Sequence, residues 1–99
     1  MKIETGIGHC WITFDNGYKL SIYNGCGSYS ENHSDFKKMA DIMKNKDILA
    51  TYESKDVEIA IIKDNKFVTS KVLEDHDDDV KGYVSIEEVI EIINKLKEM

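Results

Sequence analysis

Apolar and polar residues alternate on both sides of an Asn-Gly pair in the first third of the chain. This alternation has a period of two around Asn16-Gly17, which predicts a β-hairpin. A three-residue loop with Gly17 in the left-handed conformation places Ile12 opposite Leu20 and makes one face apolar, with Trp11 on the other face. The apolar positions of this hairpin are Cys10, Ile12, Phe14, Tyr18, Leu20 and Ile22.

A second apolar run, from Val57 to Val72, predicts another hairpin. A two-residue turn at 64–65 would place Val57 opposite Val72. The same register would place Glu58 opposite Lys71 on the reverse face, where a cross-strand ion pair supports the pairing. Because the reverse face also carries apolar residues, we expect this hairpin to be central in its sheet and covered on both sides.

The C-terminal segment predicts a helix with a defined start. Ser85 and Glu88 have the spacing of a capping box, in which each side chain bonds the backbone N–H of the other residue. Val84 and Val89 form the matching hydrophobic staple. The apolar residues that follow have helical spacing, which predicts one buried stripe. That stripe consists of Ile86, Val89, Ile90, Ile93 and Leu96.

These elements predict an α+β fold. A further helix is expected near residues 35–45, and 48–52 is a possible strand. We therefore expect a single domain over residues 1–99, with an antiparallel sheet of four to five strands from two hairpins. The C-terminal helix packs on one face of this sheet, and a short helix lies in the middle of the chain.

The charge distribution argues against nucleic acid as a direct partner. The net charge is −6, and every basic residue is Lys, so no guanidinium can contact phosphate or guanine through two bonds. No apolar run has the length of a membrane span, and the first residues do not resemble a secretory signal. We expect a cytoplasmic protein that does not bind membranes, with its two cysteines reduced.

The segment 24–34 is the strongest candidate for a ligand site. Its glycines allow close approach of the backbone, and successive N–H groups in such turns can bind anions. Its tyrosine offers a stacking face, while charge would come from Lys19, Lys37, Lys38 or a second subunit. The alternative is a polar connection between hairpin and helix. The candidate ligand-binding residues are Gly25, Gly27, Ser28, Tyr29, Asn32, His33 and Lys19.

Two chemical alternatives use cysteine and histidine. His9, Cys10, Cys26 and His33 offer two nitrogens and two sulfurs for zinc, but their spacing fits no structural zinc pattern. Cys26 could act as a nucleophile with His33 as its base. A chain of this size leaves little room for a complete catalytic cleft. We therefore expect no catalytic residues, no metal and no cofactor.

An acidic run over 74–79 precedes the C-terminal elements. Its spacing fails the EF-hand pattern, because Ile86 and Val80 stand where glutamate and glycine are needed. The simplest interpretation is a solvated acidic turn. Its functional interpretation is docking against a basic protein through Asp77, Asp78 and Asp79.

Three segments carry a resemblance to a known group of proteins. They are "WITFDNGYKLSIYNGCGSYSENH", "VEIAII" and "DDDVKGYVSIEEVIEII". Together they resemble small accessory proteins encoded by tailed bacteriophages. This resemblance implies a host cytoplasm and a counter-defence factor that acts by binding. It supplies no catalytic residues.

Four functions remain open at this point. The first is a binding protein that inactivates a host immune component by sequestering a nucleotide-like signal, at a subunit interface if the chain forms a homo-oligomer. The second is an acidic mimic of a phosphate backbone, formed by the run 74–79 and the face with Glu87 and Glu91, that inhibits a host nuclease, as anti-CRISPR proteins do. The third is a small enzyme that uses Cys26 and His33. The fourth is a structural module associated with the virion.

Overall fold

The described residues form an antiparallel sheet of six strands that carries a C-terminal helix on one face, so the α+β class is confirmed. The computed structural model describes residues 1–34, 40, 44 and 53–99. The strands are β1 Lys2–Gly6, β2 His9–Thr13, β3 Lys19–Tyr23, β4 Asp56–Lys63, β5 Lys66–Phe67 and β6 Lys81–Ser85, and the helices are α1 Thr69–Val72 and α2 Ile86–Lys97.

The strands follow the order β1-β2-β3-β4, and two short strands share the far side of β4. β5 pairs with the C-terminal end of β4 at Ile62 and Lys63. β6 pairs with its N-terminal half, with Val57 opposite Val84. β1 and β6 were not predicted from the sequence. β1 is exposed along its whole length, so the contrast between a buried and a solvated face is missing from its sequence.

The first hairpin has the predicted register. Ile12 lies opposite Leu20, and Trp11 lies opposite Ser21 on the reverse face. Gly17 has a φ of +92°, the left-handed conformation that the three-residue loop requires. Trp11 is half-buried.

The prediction of the second hairpin is confirmed at its turn and wrong for the residues that follow the turn. Asp64 and Asn65 have φ values of 53° and 61°, as a two-residue turn between twisted strands requires. The chain leaves the sheet after β5 and forms α1, so the predicted pairs Val57–Val72 and Glu58–Lys71 do not form. A further expectation, that both faces of this hairpin are covered, also fails at its end, where Phe67 is 52% exposed.

The buried side chain of Thr69 explains why β5 ends after Phe67. The N–H of Val68 still donates to the Ile61 carbonyl at 2.8 Å. The Ile61 N–H donates to Oγ1 of Thr69 at 2.9 Å, so a side chain accepts the bond that a strand carbonyl would otherwise accept. Val72 is nevertheless buried, because α1 turns it into the core.

The helix α2 begins where the capping box predicted. The Ser85 hydroxyl accepts from the Glu88 N–H at 3.2 Å, and Val84 and Val89 are both buried. The buried stripe is Val89, Ile92 and Leu96, with Ile93 half-buried. The expectation that Ile86 and Ile90 belong to it is wrong, since both are exposed.

The core lies between α2 and the face of the sheet that carries the apolar hairpin positions. The expected middle helix can be compared at Ala40 and Lys44, which are both helical and exposed. The rest of 35–45 and the possible strand 48–52 lie outside the described residues. No helix in the described part of the chain is long and apolar enough to cross a membrane. The buried core residues are Phe14, Leu20, Val57, Ile59, Ile61, Val72, Val84, Val89, Ile92 and Leu96.

Candidate functional site

The loop that follows β3 directs three of its polar side chains inward. Ser28, Ser30 and Asn32 are all buried. The Ser28 hydroxyl donates to the Gly25 carbonyl at 2.6 Å and lies 2.7 Å from the Ser30 hydroxyl. Gly25 is also buried, and a side chain there would collide with the Tyr23 ring at 2.9 Å. Hydrogen bonds of this kind satisfy buried hydroxyls, so Ser28 serves the loop's own structure.

Asn32 connects the loop to the chain that enters β4. Its Nδ2 donates to the carbonyls of Asn24 at 2.8 Å and Glu53 at 3.0 Å. An amide with both N–H groups bonded to buried backbone has a structural role. The sequence proposed Asn32 as a ligand contact, and the structure places it inside the loop.

Carboxylate side chains hold the loop against β4 by accepting hydrogen bonds from backbone N–H groups. The N–H of Tyr29 donates to Glu58 at 3.2 Å, and the N–H of Glu31 donates to Asp56 at 2.8 Å. The Glu31 carboxylate in turn accepts from the N–H of Lys55 at 2.9 Å. Among the described residues, the charged side chains that bond the loop here are therefore carboxylates, which oppose the binding of an anionic ligand.

The loop also contacts β6 where the backbone is strained. The Tyr83 N–H donates to the Tyr29 carbonyl at 2.8 Å. Tyr83 has a φ of 52°, a conformation that costs a residue with a side chain roughly 1–2 kcal/mol. A Cβ on Gly82 would lie 2.5 Å from the Tyr29 Cβ, so glycine is needed at that position. The strain at Tyr83 accompanies the close packing of β6 on the loop.

Two candidate ligand contacts remain at the surface. Tyr29 and His33 are exposed, and their rings stack with centroids 5.4 Å apart and an interplanar angle of 12°. His33 Nδ1 lies 2.9 Å from the Ser28 carbonyl, which can only accept, so this nitrogen carries the proton. The pair is a pre-ordered aromatic surface on a rigid loop. Gly27 is exposed with a φ of +81°, but its N–H already donates to the His33 carbonyl at 2.8 Å.

Lys19 does not join these residues. It begins β3, whereas the loop follows the end of that strand at Tyr23, roughly 13 Å away along the strand. Lys19 instead lines an open groove of about 230 Å³ together with Lys2, Lys63 and Asp64. Lys37 and Lys38, the other suggested sources of charge, lie outside the described residues.

The zinc alternative gains no support from the arrangement of the described residues. Cys10 points to the core face of the sheet, opposite Ile22, and burial raises the pKa of its thiol. A raised pKa weakens a thiol as nucleophile and as metal ligand at neutral pH. Among the described residues, no group of three or more His, Cys, Asp and Glu side chains could hold a metal ion.

The acidic run is anchored through its backbone and leaves its carboxylates exposed. The Thr69 hydroxyl donates to the Asp79 carbonyl at 2.6 Å, and His76 Nε2 lies 2.7 Å from the Val80 carbonyl. Asp77, Asp78 and Asp79 are exposed. The turn is therefore held in place while its charges face solvent.

The flank of α2 adds apolar surface near further carboxylates. Ile86 and Ile90 are 48% and 53% exposed and lie one helical turn apart. Glu87 and Glu91 are exposed beside them. The exposure of Ile86 and Ile90 was not predicted, because all five apolar residues of the helix fit one stripe and the packing of the neighbouring strand decides which of them are covered.

A third arrangement, absent from the sequence analysis, lies on the sheet face opposite α2. His9 stacks on Trp11 with centroids 3.7 Å apart and contacts the Tyr23 ring at 4.9 Å. His9 Nε2 lies 2.7 Å from the Ser21 hydroxyl. Burial lowers the pKa of His9 and, as the largest of several causes, raises that of Tyr23, so both side chains are neutral near pH 7. The register of β2 and β3 was the signal that could have grouped these side chains, because it places His9 opposite Tyr23 and on the same face of the sheet as Trp11.

Comparison with known proteins adds no family. No protein-family model, curated protein or solved structure matches the chain. The arguments for function therefore rest on the residues and their geometry.

Proposed function

We propose that the protein is a non-enzymatic binding protein that inhibits a host protein by occupying its basic surface. The observation that carries this proposal is the exposure of Asp77, Asp78 and Asp79 on a turn whose backbone is fixed by Thr69. A cluster of carboxylates on an anchored turn resembles a phosphate backbone in charge, and the backbone of that turn needs little ordering when it binds.

The local charge balance supports a basic partner. Residues 57–99 contain six Lys and eleven Asp or Glu, a net charge of −5 out of the total of −6. Three of those lysines are engaged within the fold, one of them Lys63, whose Nζ lies 4.3 Å from the centre of the Tyr18 ring. Lys81 donates to Glu88 at 2.8 Å, and Lys95 donates to the Val72 carbonyl at 2.8 Å. A surface potential of one sign accelerates association with a partner of the other sign.

The apolar flank of α2 supplies a second component of a protein interface. Interfaces combine an apolar centre, which carries much of the affinity, with a polar rim. Ile86 and Ile90 provide exposed apolar area, and Glu87 and Glu91 provide charge beside it. The resemblance to bacteriophage accessory proteins adds a context in which the partner is a host defence protein, such as a nuclease.

Co-purification from phage-infected host cells tests this proposal. We expect the wild-type chain to retain one defined partner, and the double variant Asp77→Lys, Asp79→Lys to lose it. The matched control is Glu53→Lys, Glu98→Lys, which changes the net charge equally at exposed positions away from the turn. Binding of the purified partner should weaken with added salt. A partner that the aspartate variant retains and the control loses would reject the proposal.

A second candidate function rests on the Tyr29–His33 stack, which could hold the base of a nucleotide-like signal. Stacking on an aromatic side chain contributes roughly 1–3 kcal/mol per base. The carboxylates of Glu31, Asp56 and Glu58 near this loop oppose a phosphate group, and this is why we place the candidate second.

Calorimetry with a panel of cyclic nucleotides tests the second candidate. Tyr29→Ala keeps the Cβ that packs near Gly82 and removes the ring, so we expect the fold to remain and binding to be lost. Phe67→Ala removes another exposed aromatic ring, away from this loop, and serves as the matched control. Absence of binding by the wild-type chain across the panel would eliminate this function.

A further inference from the structure

β1 forms an edge of the sheet that no other strand in the described residues covers. It pairs with β2 on one side, and all five of its residues are exposed. Ile3 is 64% exposed although it lies in register with Ile12, on the apolar face of the sheet. An uncovered strand edge is a template for pairing with another strand.

The direction of the backbone groups of β1 follows from two hydrogen bonds. The Asn24 N–H donates to Gly8 and the Phe14 N–H donates to Tyr18, both at 2.8 Å, at the two ends of the β2–β3 ladder. The even-numbered residues of β2 therefore bond toward β3. Because these directions alternate along a strand, the odd-numbered residues of β2 bond toward β1.

The same alternation determines which groups of β1 face outward. His9, Trp11 and Thr13 lie opposite Gly6, Glu4 and Lys2, so those three residues of β1 bond toward β2. The N–H and C=O groups of Ile3 and Thr5 consequently point away from the sheet. A second strand can bond to them without disturbing the fold.

We propose that two copies of the chain pair through β1, antiparallel and with the two-fold axis at Ile3. In this register Ile3 lies opposite Ile3 of the second copy, and each exchanges an N–H···O bond with the other. Lys2 lies opposite Glu4 of the second copy, and Glu4 opposite its Lys2. Opposite charges directly across two strands stabilise the pairing.

The charges of Lys2 and Glu4 also favour an axis at Ile3 over an axis at either of the next two residues. An axis at Glu4 would place two Glu4 carboxylates directly opposite each other, which is destabilising. An axis at Thr5 would place Lys2 opposite Gly8, a turn residue that brings no charge. The edge itself has no net charge, because most of the acidic residues lie in 57–99. The total charge therefore opposes association less than its value suggests.

The apolar contact at the two-fold axis is small, and this limits the expected affinity of the dimer. The two Ile3 side chains would meet on the face that continues to Ile12 and Leu20. A contact of five residues per chain is smaller than a standard protein interface. We therefore expect a weak dimer in the micromolar range, sensitive to salt and to protein concentration. This inference is independent of the proposed function.

Sedimentation velocity over a concentration series tests the dimer. We expect Glu4→Lys and Lys2→Glu each to be monomeric, because like charges then face each other across the axis. An equimolar mixture of the two variants should form heterodimers, and the double variant with both changes should again dimerise alone. The matched controls Glu98→Lys and Lys97→Glu change the net charge equally at exposed positions and should dimerise like the wild type.

Two changes at the axis give an independent test. Ile3→Pro removes an outward N–H while leaving the bonds to β2, so we expect a folded monomer. Ile3→Cys should form a disulfide-linked dimer under oxidising conditions, because the two Cα atoms would lie about 5.5 Å apart. Ile7→Cys, an exposed position beyond the end of β1, serves as the control and should not. A wild-type chain that stays monomeric to about 1 mM, or a dimer that survives Glu4→Lys, would overturn the proposal.

Discussion

Thr69 makes two hydrogen bonds whose loss can be separated from the loss of its methyl group. It is 1% exposed, accepts from the Ile61 N–H and donates to the Asp79 carbonyl. Thr69→Val keeps nearly the same volume and removes both bonds. Thr69→Ser keeps the hydroxyl and removes one methyl group. The two variants therefore distinguish hydrogen bonding from packing at one position.

The expected magnitudes follow from what each variant leaves unsatisfied. Ile61 is fully buried, so its N–H without a partner costs about 1–3 kcal/mol. The Asp79 carbonyl lies in an exposed turn, and water can replace its donor at a cost of about 0.5–1.5 kcal/mol. Thr69→Val should therefore lower the free energy of unfolding by about 1.5–4.5 kcal/mol, the sum of these two costs. Thr69→Ser should lower it by about 1 kcal/mol, the value of one buried methyl group.

Urea unfolding followed by circular dichroism measures both free energies, and hydrogen exchange reports the site directly. For a domain of this size, each 1 kcal/mol shifts the melting temperature by about 4–8 °C. The Ile61 amide should exchange faster in Thr69→Val than in Thr69→Ser. A valine variant as stable as the serine variant would refute the claim that the Thr69 hydroxyl replaces a strand partner.

Three further predictions concern turns, caps and protonation. Gly17→Val should lower stability by at least about 1–2 kcal/mol, since valine is strained at a φ of +92°, and thermal melts against Gly17→Asn check this. Ser85→Ala should cost about 1 kcal/mol and Ser85→Asp much less, and equal melting temperatures for wild type and Ala would contradict the cap. The lowered pKa of His9 means that the unfolded chain binds more protons than the folded chain once the pH falls to about 6.5, the ordinary value, so stability should decrease as the pH is lowered through this value, and decrease less in His9→Gln.

Local features of this protein were predictable because adjacent residues determine them. The Gly17 loop depends on one residue that can adopt positive φ and on the apolar alternation around it. The Ser85 cap depends on a hydroxyl three residues before a backbone N–H. Both involve contacts within a few residues, and the pattern of residue types specifies such contacts directly.

The end of the second hairpin shows where local pattern fails. Val68 and Val72 fit a strand as well as they fit a helix, and the pattern alone favoured the strand. The Thr69 hydroxyl and the pairing of β6 with β4 decided otherwise. The partner of Val57 is Val84, a residue distant in sequence, and no local pattern names it.

The candidate site divides in the same way. The sequence determined that 24–33 is a polar loop with glycines and that 74–79 is acidic, since composition alone decides both. Tertiary structure decided that Ser28 and Asn32 face inward while Tyr29 and His33 face solvent. The physical reason is that every buried backbone group needs a partner, and only the packed chain shows which polar side chains supply one. What is left exposed after that requirement is met is the surface on which this protein can bind.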